Sequence, residues 1–328
     1  MNVFAGVQVH TDPDGGLRCW LDTEHARGWL TQTPGARSVG TDELFSRHFA
    51  KAAAEGFVAA DAAVIAMMKT CEPDTLPLMS WGEQLPVAPA PSVPPQRLDL
   101  YAIVDSADRV TQVLTAGVRT VQLRIKTPEQ ADARWLDALR GEVQRSVSAC
   151  AAAGAELFIN DHWQIAAEAG AGGVHLGQED LLALGDMGRA ALQATGMALG
   201  ISSHSLWELC RARALAPRYI ACGPVWPTLT KTMPWRAQDL DNLSWWCRMA
   251  QAPVVAIGGI LGAEQVFEAA RCGSDGICIV RGLGDHPEAV VPGLQAALES
   301  GRSAAASEPF ATGGPHPSLA VGARAASA

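Results

Sequence analysis

The chain has 328 residues, 48% of them hydrophobic and 18% charged, which is enough apolar volume for a large core and excludes disorder across the main body. With 25 Lys+Arg against 34 Asp+Glu the formal charge is −9, so a generally basic, nucleic-acid-binding surface is excluded and any anionic ligand needs local positive groups. No run approaches a membrane span and the opening Met1-Asn2-Val3-Phe4-Ala5-Gly6 is not a secretory signal, so the expected location is the cytoplasm, with no membrane partner.

In chain order, residues 3–10, the turn Pro13-Asp14-Gly15-Gly16 and residues 17–21 predict a β-hairpin. Thr41 or Asp42 is placed to cap a helix over 43–55 that Gly56 ends, and a second helix follows over 59–71. A piece of about 85 residues packs barely by itself, so it leans on the rest of the chain or on a second copy, which makes a homo-oligomer one expected assembly. Residues 85–96 are Pro-rich, an extended spacer and the natural domain boundary after residues 1–84.

From 97 to 300, short apolar runs at 98–104, 120–125, 156–159, 173–176, 198–201, 218–222, 253–257 and 276–280 alternate with helix-like stretches such as 128–153 and 263–271. Several of these stretches end in glycine, at Gly117, Gly154, Gly170 and Gly273. Strand–helix units repeated so regularly predict an α/β fold, a (β/α)8 TIM barrel with a small N-terminal α+β appendage. A doubly wound open sheet is the alternative, but it does not need so many regular units. Residues 301–328, mostly Ala, Ser, Gly and Pro, predict a disordered tail. The 8 cysteines are scattered without a C-x-x-C pair and read as reduced, buried thiols.

In such barrels chemistry sits at the C-terminal strand ends. Period-two alternation in the second strand sends Gln122, Arg124 and Lys126 inward, where two cations need an anion; a structural ion pair is the plainer alternative. The third strand runs into Asn160-Asp161 and the fourth into Glu179-Asp180, hard oxygens suited to Mg2+ beside a phosphate, although Asp180 could serve only as a helix cap. Ser202-Ser203-His204-Ser205 follows the fifth strand and Thr228-Leu229-Thr230-Lys231 the sixth, with His204 more suited to a helix start than to a general base. Gly258-Gly259 after the seventh strand and Val280-Arg281-Gly282 after the eighth form the expected phosphate cup. The residues alone therefore point to a metal-assisted cationic pocket beside a phosphate cup, in a barrel that joins or splits two phosphorylated molecules.

The ordered set Q-L-R-I-K, F-I-N-D, G-V-H-L-G-Q-E-D, G-I-S-S-H-S, G-P-V-W-P-T-L-T-K and A-I-G-G-I resembles the thiamine-phosphate synthase family over about residues 98–299. The resemblance implies coupling of hydroxymethylpyrimidine diphosphate with thiazole phosphate to give thiamine phosphate and pyrophosphate. It implies Mg2+ on Asp161 and Asp180, and Gln122, Arg124, Lys126, Asn160, Ser202 and Lys231 around the diphosphate. Thr228, Thr230 and Gly259 would meet the thiazole phosphate. On that assignment Lys231→Ala is expected to lower turnover and Gly259→Val to raise the thiazole phosphate KM. This sequence departs from the family at His162, Gln164, Trp226 and Arg281, where Arg, Asp, Phe and Ser are common.

The first 80 or so residues resemble the C-terminal end of a hydroxymethylpyrimidine phosphate kinase through the hairpin and residues 38–46, with Asp42 in place of a glycine. This implies a degenerate remnant, structural or docking in role, whose deletion is expected to leave catalysis in place. The competing functions are a thiazole tautomerase-like relative, which would not need the diphosphate residues, and a silent thiamine-precursor-binding relative.

Overall fold

The computed structural model describes residues 3–12, 16–32, 42–71, 75–88, 97–227, 234–307 and 313–319. Eight parallel strands close into a barrel: β6 (Asp99–Val104), β7 (Thr120–Leu123), β8 (Glu156–Asn160), β9 (Gly173–Leu176), β10 (Ala198–Ser203), β11 (Tyr219–Cys222), β12 (Val254–Ala256) and β13 (Gly276–Ile279), with β13 pairing back onto β6. The helices around it are α3 (Ala107–Thr115), α4 (Ala133–Ala153), α5 (Trp163–Glu168), α6 (Gln178–Ala183), α7 (Gly185–Ala194), α8 (Leu206–Arg213), α9 (Asp239–Met249), α10 (Ala263–Arg271) and α11 (Pro287–Ser307). Each strand lies where the apolar runs place it, and Gly154 closes α4 at φ 60, the left-handed geometry that stops a helix.

Inside the barrel, alternation aims large side chains at small ones. Tyr101, Phe158, Tyr219, Val255 and Cys278 fill the lumen. A Cβ on Gly200 would sit 2.3 Å from Tyr219 Cζ, and one on Gly173 2.6 Å from Phe158 Cδ1, so these strand glycines exist to admit the rings.

Before the barrel, β1 (Val3–Phe4), β2 (Val7–Thr11), β3 (Leu17–Asp22), β4 (Arg27–Thr31) and β5 (Leu78–Met79) form an antiparallel sheet in chain order. β2 and β3 pair as expected of the hairpin; β4 and β5 extend the sheet beyond it, β5 pairing with β4 from across two helices. Those helices are α1 (Asp42–Ala54) and α2 (Ala59–Thr70), and Asp42 is the first helical residue while residue 41 lies outside the described set. Val7, Val9, Leu21, Leu30, Phe45 and Met67 join Trp207, Leu209 and Val254 in one contiguous apolar core, so the appendage leans on the barrel itself.

The tail expectation is corrected in part. Residues 302–307 continue α11, because a glycine at 301 lets α11 approach Phe267 O to a distance at which a Cβ would lie 2.3 Å away. Residues 313–319 fold back: Asn242 accepts from the His316 N–H at 2.8 Å, and Leu319 is 1% exposed beside Trp235. In the spacer, residues 85–88 are described and Val87 is exposed, whereas 89–96 lie outside the described residues. No helix among the described residues is long and apolar enough to cross a membrane.

Candidate active site

The C-terminal strand ends surround an open cavity of about 320 Å³. It is lined by Gln122, Arg124, Asn160, Asp161, Asp180, Ser202, Gly258, Gly259, Val280 and Arg281 from the sequence-derived set, joined by His175, Glu179 and His204. Lys126 is not among them. β7 ends at Leu123, and beyond Arg124, whose N–H still donates to Val104 O at 2.7 Å, the chain leaves the strand, so alternation no longer aims Lys126 inward and it is exposed. Thr228, Thr230 and Lys231 lie outside the described residues.

A hydrogen-bonded chain crosses the lumen below the cavity. Gln122 Nε2 donates to Tyr101 Oη at 3.1 Å, the Tyr101 and Tyr219 hydroxyls are 2.7 Å apart, His175 Nδ1 lies 2.8 Å from Tyr219 Oη, and His175 Nε2 lies 2.8 Å from Ser202 Oγ. Burial first, then the Arg124 charge, push the His175 pKa down to about 4, so the ring is neutral and carries one proton. A consistent direction follows: each hydroxyl hands its proton on, Nδ1 accepts, and Nε2–H donates to Ser202. The Ser202 O–H is thereby left to donate into the cavity, toward an anion.

This imidazole also sets an acid limit. A histidine held neutral contributes stability that is present above its ordinary pKa of about 6.5 and lost as pH falls through about 4, worth about 3 kcal/mol. Urea unfolding of the parent should weaken across that window by about that much more than unfolding of His175→Gln. Identical pH profiles would remove His175 as the cause.

Asp161 stands at the β8 tip with φ 63, a left-handed backbone that a non-glycine residue rarely adopts and that turns its carboxylate over the cavity. Partial desolvation, and after it the negative Asp180, raise its pKa, opposed by His162 and Arg124. Asp180 opens α6 and its Oδ2 accepts from the Gly177 N–H at 2.9 Å, so the capping role and a place on the cavity coexist. The guanidiniums of Arg124 and Arg281 line the same cavity without a hydrogen-bond or ion-pair partner among the described residues, and the Arg124 charge acts on Asp161.

The Gly258-Gly259 turn has two structural reasons. Both residues have positive φ, 95 and 74, and a Cβ would lie 2.6 Å from Pro224 Cβ at Gly258 and 2.4 Å from Trp226 Cβ at Gly259. The turn is pressed against the β11 loop as well as open to the cavity.

Residues 100–283 match the family described as thiamine monophosphate synthase. The chain is 45% identical over 195 residues to a thiamine-phosphate synthase of Rhizobium etli, spanning 58% of this chain and 90% of that protein. This chain belongs to the thiamine monophosphate synthase family. It is also 45% identical over 202 residues to a thiamine-phosphate synthase of Neisseria meningitidis serogroup A, covering 61% of this chain and 94% of the relative. Among solved structures, a thiamine phosphate pyrophosphorylase from Pyrococcus furiosus superposes with a TM-score of 0.52 at 26% identity, over 62% of this chain and 96% of its own.

Within this thiamine monophosphate synthase fold, two of the departures, His162 and Trp226, pack against local partners, and Arg281 faces the cavity. His162 Nε2 lies 3.2 Å from Ile125 O and its ring packs edge-on against Trp135, which ties the β7 loop to the residue after Asp161. Trp226 is the wall against Gly259, and Arg281 adds its charge to the β13 rim. His175 and Tyr219 were missed as functional residues although Gly173 and His175 share the inward register; an inward histidine in an apolar strand was the available signal.

Proposed function

We propose that this chain is a thiamine-phosphate synthase, a transferase that couples hydroxymethylpyrimidine diphosphate to thiazole phosphate with release of pyrophosphate. The observation that carries the reading is one cavity in a barrel of this family that joins Arg124 and Arg281, which have no side-chain partner among the described residues, to the carboxylates Asp161 and Asp180. The bond from the pyrimidine methylene carbon to the diphosphate oxygen breaks, the electron pair leaves with pyrophosphate, and the thiazole nitrogen forms the new bond to that carbon. No protein nucleophile is needed.

Arg124, Asn160 and the Ser202 hydroxyl bind the diphosphate and steady the charge that builds on it, while Gln122 fixes the pyrimidine end. Asp161 and Asp180 would hold Mg2+: two hard, like-charged oxygen donors facing a cavity suit a dication that completes its shell with phosphate oxygens. When bound, the ion neutralises charge on the leaving group. Gly258, Gly259, Val280 and Arg281 receive the thiazole phosphate, and Thr228, Thr230 and Lys231 keep the roles that the resemblance implies for them.

Purified protein given both substrates and Mg2+ should release pyrophosphate and should not do so in excess chelator. Binding of both substrates without release would favour the silent reading and sink this one. Removing the charged donor in Arg281→Ala should raise the thiazole phosphate KM about tenfold or more, the usual cost of a charge-assisted hydrogen bond, with the pyrimidine KM within twofold. An unchanged thiazole KM would place Arg281 outside the phosphate cup.

A further inference from the structure

The outer face of a barrel helix is ordinarily wet, yet every residue of α8 is buried, Glu208, Arg211 and Arg213 included. What covers it is the N-terminal unit. Arg213 Nη1 donates to Leu76 O and Pro77 O at 2.9 and 3.0 Å, Arg211 Nη2 donates to Arg27 O at 3.2 Å, and the Arg211 guanidinium lies over the Trp81 ring.

The decisive contact is at the other end of the helix, under the cavity rim. Asp61, 1% exposed on α2, accepts the N–H of Trp207 at 3.1 Å and feels the neighbouring N–H of Leu206, while Ser205 Oγ accepts the N–H of Glu208. The first turn of α8 is therefore capped half from its own chain neighbour and half from the N-terminal unit. Glu208 in turn accepts from the His204 N–H at 2.6 Å and lies 3.0 Å from its ring, and Gln238 donates to His204 O. A second link runs through rings: His25 of the N-terminal unit meets Trp207, Trp207 meets Trp235, and Trp235 stacks on His204 at 5.1 Å and 10°. His204 and Ser202 both line the cavity.

We infer that Asp61 is a positioning residue for the reaction: the N-terminal unit holds the α8 start, and through it the Ser202–His204 rim that faces the pyrimidine diphosphate. This rests on the functional reading above for the identity of the ligand, though not for the mechanical coupling. It replaces the expectation that residues 1–84 can be removed with catalysis intact. Burial pushes the Asp61 carboxyl up to about 7, against the pull of the two N–H groups, so near neutrality its contribution is an acceptor oxygen in either protonation state. Asn should therefore serve in its place where Ala should not.

The test uses the full chain with Asp61→Ala, Asp61→Asn and, as a control at the far end of the same interface, Arg213→Lys. Asp61→Ala should raise the pyrimidine diphosphate KM about tenfold, as expected for a rim displaced by a fraction of an ångström, with the thiazole phosphate KM within about twofold. Hydrogen exchange of a peptide covering 202–209 should accelerate in the same variant. Asp61→Asn should restore both readouts. Arg213→Lys should lower Tm without moving either KM, which a role confined to overall stability would not separate. Should Asp61→Ala fail to unfold cooperatively, Asp61→Glu keeps the charge and shifts the acceptor by one methylene, and a raised pyrimidine KM is again expected. Parent-like KM values and parent-like exchange in the folded variants overturn the inference. If the parent itself releases no pyrophosphate, the functional reading fails, and the exchange experiment still decides whether Asp61 holds the rim.

Discussion

Asp161→Asn and Asp180→Asn should each lower pyrophosphate release about a hundredfold or more while the protein still unfolds in one cooperative transition. The two carboxylates are hard donors on a cavity that Glu179 also lines, and they face a diphosphate that would otherwise repel them. A neutral amide keeps the shape and, at Asp180, the oxygen that caps Gly177, but it gives up the charge that balances a dication. Without divalent ion each variant should melt at or above the parent, because the raised pKa of Asp161 reports desolvation and the neighbouring negative charge, both relieved by neutralisation. Turnover lost together with a broad, early transition would mark these residues as structural. Turnover retained would move the ion, and with it the leaving group, elsewhere on the rim.

The barrel was legible because its strands are short, apolar and punctuated, and because inward positions can be counted by twos: Gln122, Asn160 and Ser202 fall on the cavity for that reason. The same count failed at Lys126, since alternation holds only while the chain remains a strand, and β7 stops at Leu123. Tyr101 and Tyr219 lie in the apolar runs 98–104 and 218–222 and are buried in the lumen; their hydroxyls form a conduit to Ser202 only because the barrel brings residues 118 apart in sequence to 2.7 Å. β5 has two residues and no period to detect; its partner is supplied by β4, from across two helices. Asp61 falls inside the helix expected over 59–71, and nothing local announces that the start of α8 will lie against it. Local pattern carries the elements, whereas contacts between the N-terminal unit and the barrel carry what pattern cannot.

Gly259→Val should cost the fold as well as the ligand. Sequence reasoning expected mainly a higher thiazole phosphate KM, with a smaller effect on the chemical step, on the ground that a side chain would block a phosphate approaching backbone amides. At φ +74, however, a β-branched residue is strained before any ligand arrives, and its Cβ would lie 2.4 Å from Trp226 Cβ and 2.9 Å from Trp226 O. Backbone on one side or the other has to move. Strain and displacement together should destabilise the protein by about 2–4 kcal/mol, a fall in Tm on the order of 5–10 °C for a domain of this size. Because Trp226 stands only two to five residues before Thr228, Thr230 and Lys231 in the chain, pushing it aside should lower kcat and raise both KM values, with the thiazole value not the main change. Gly262→Ala is the matched control: its backbone is extended and the nearest atom to a new Cβ is Gln265 Oε1 at 3.7 Å, so Tm and kinetics should stay close to the parent. A Gly259→Val protein that melts with the parent and loses only thiazole phosphate affinity would show that the glycine is there for the phosphate and that the contact with Trp226 yields at little cost.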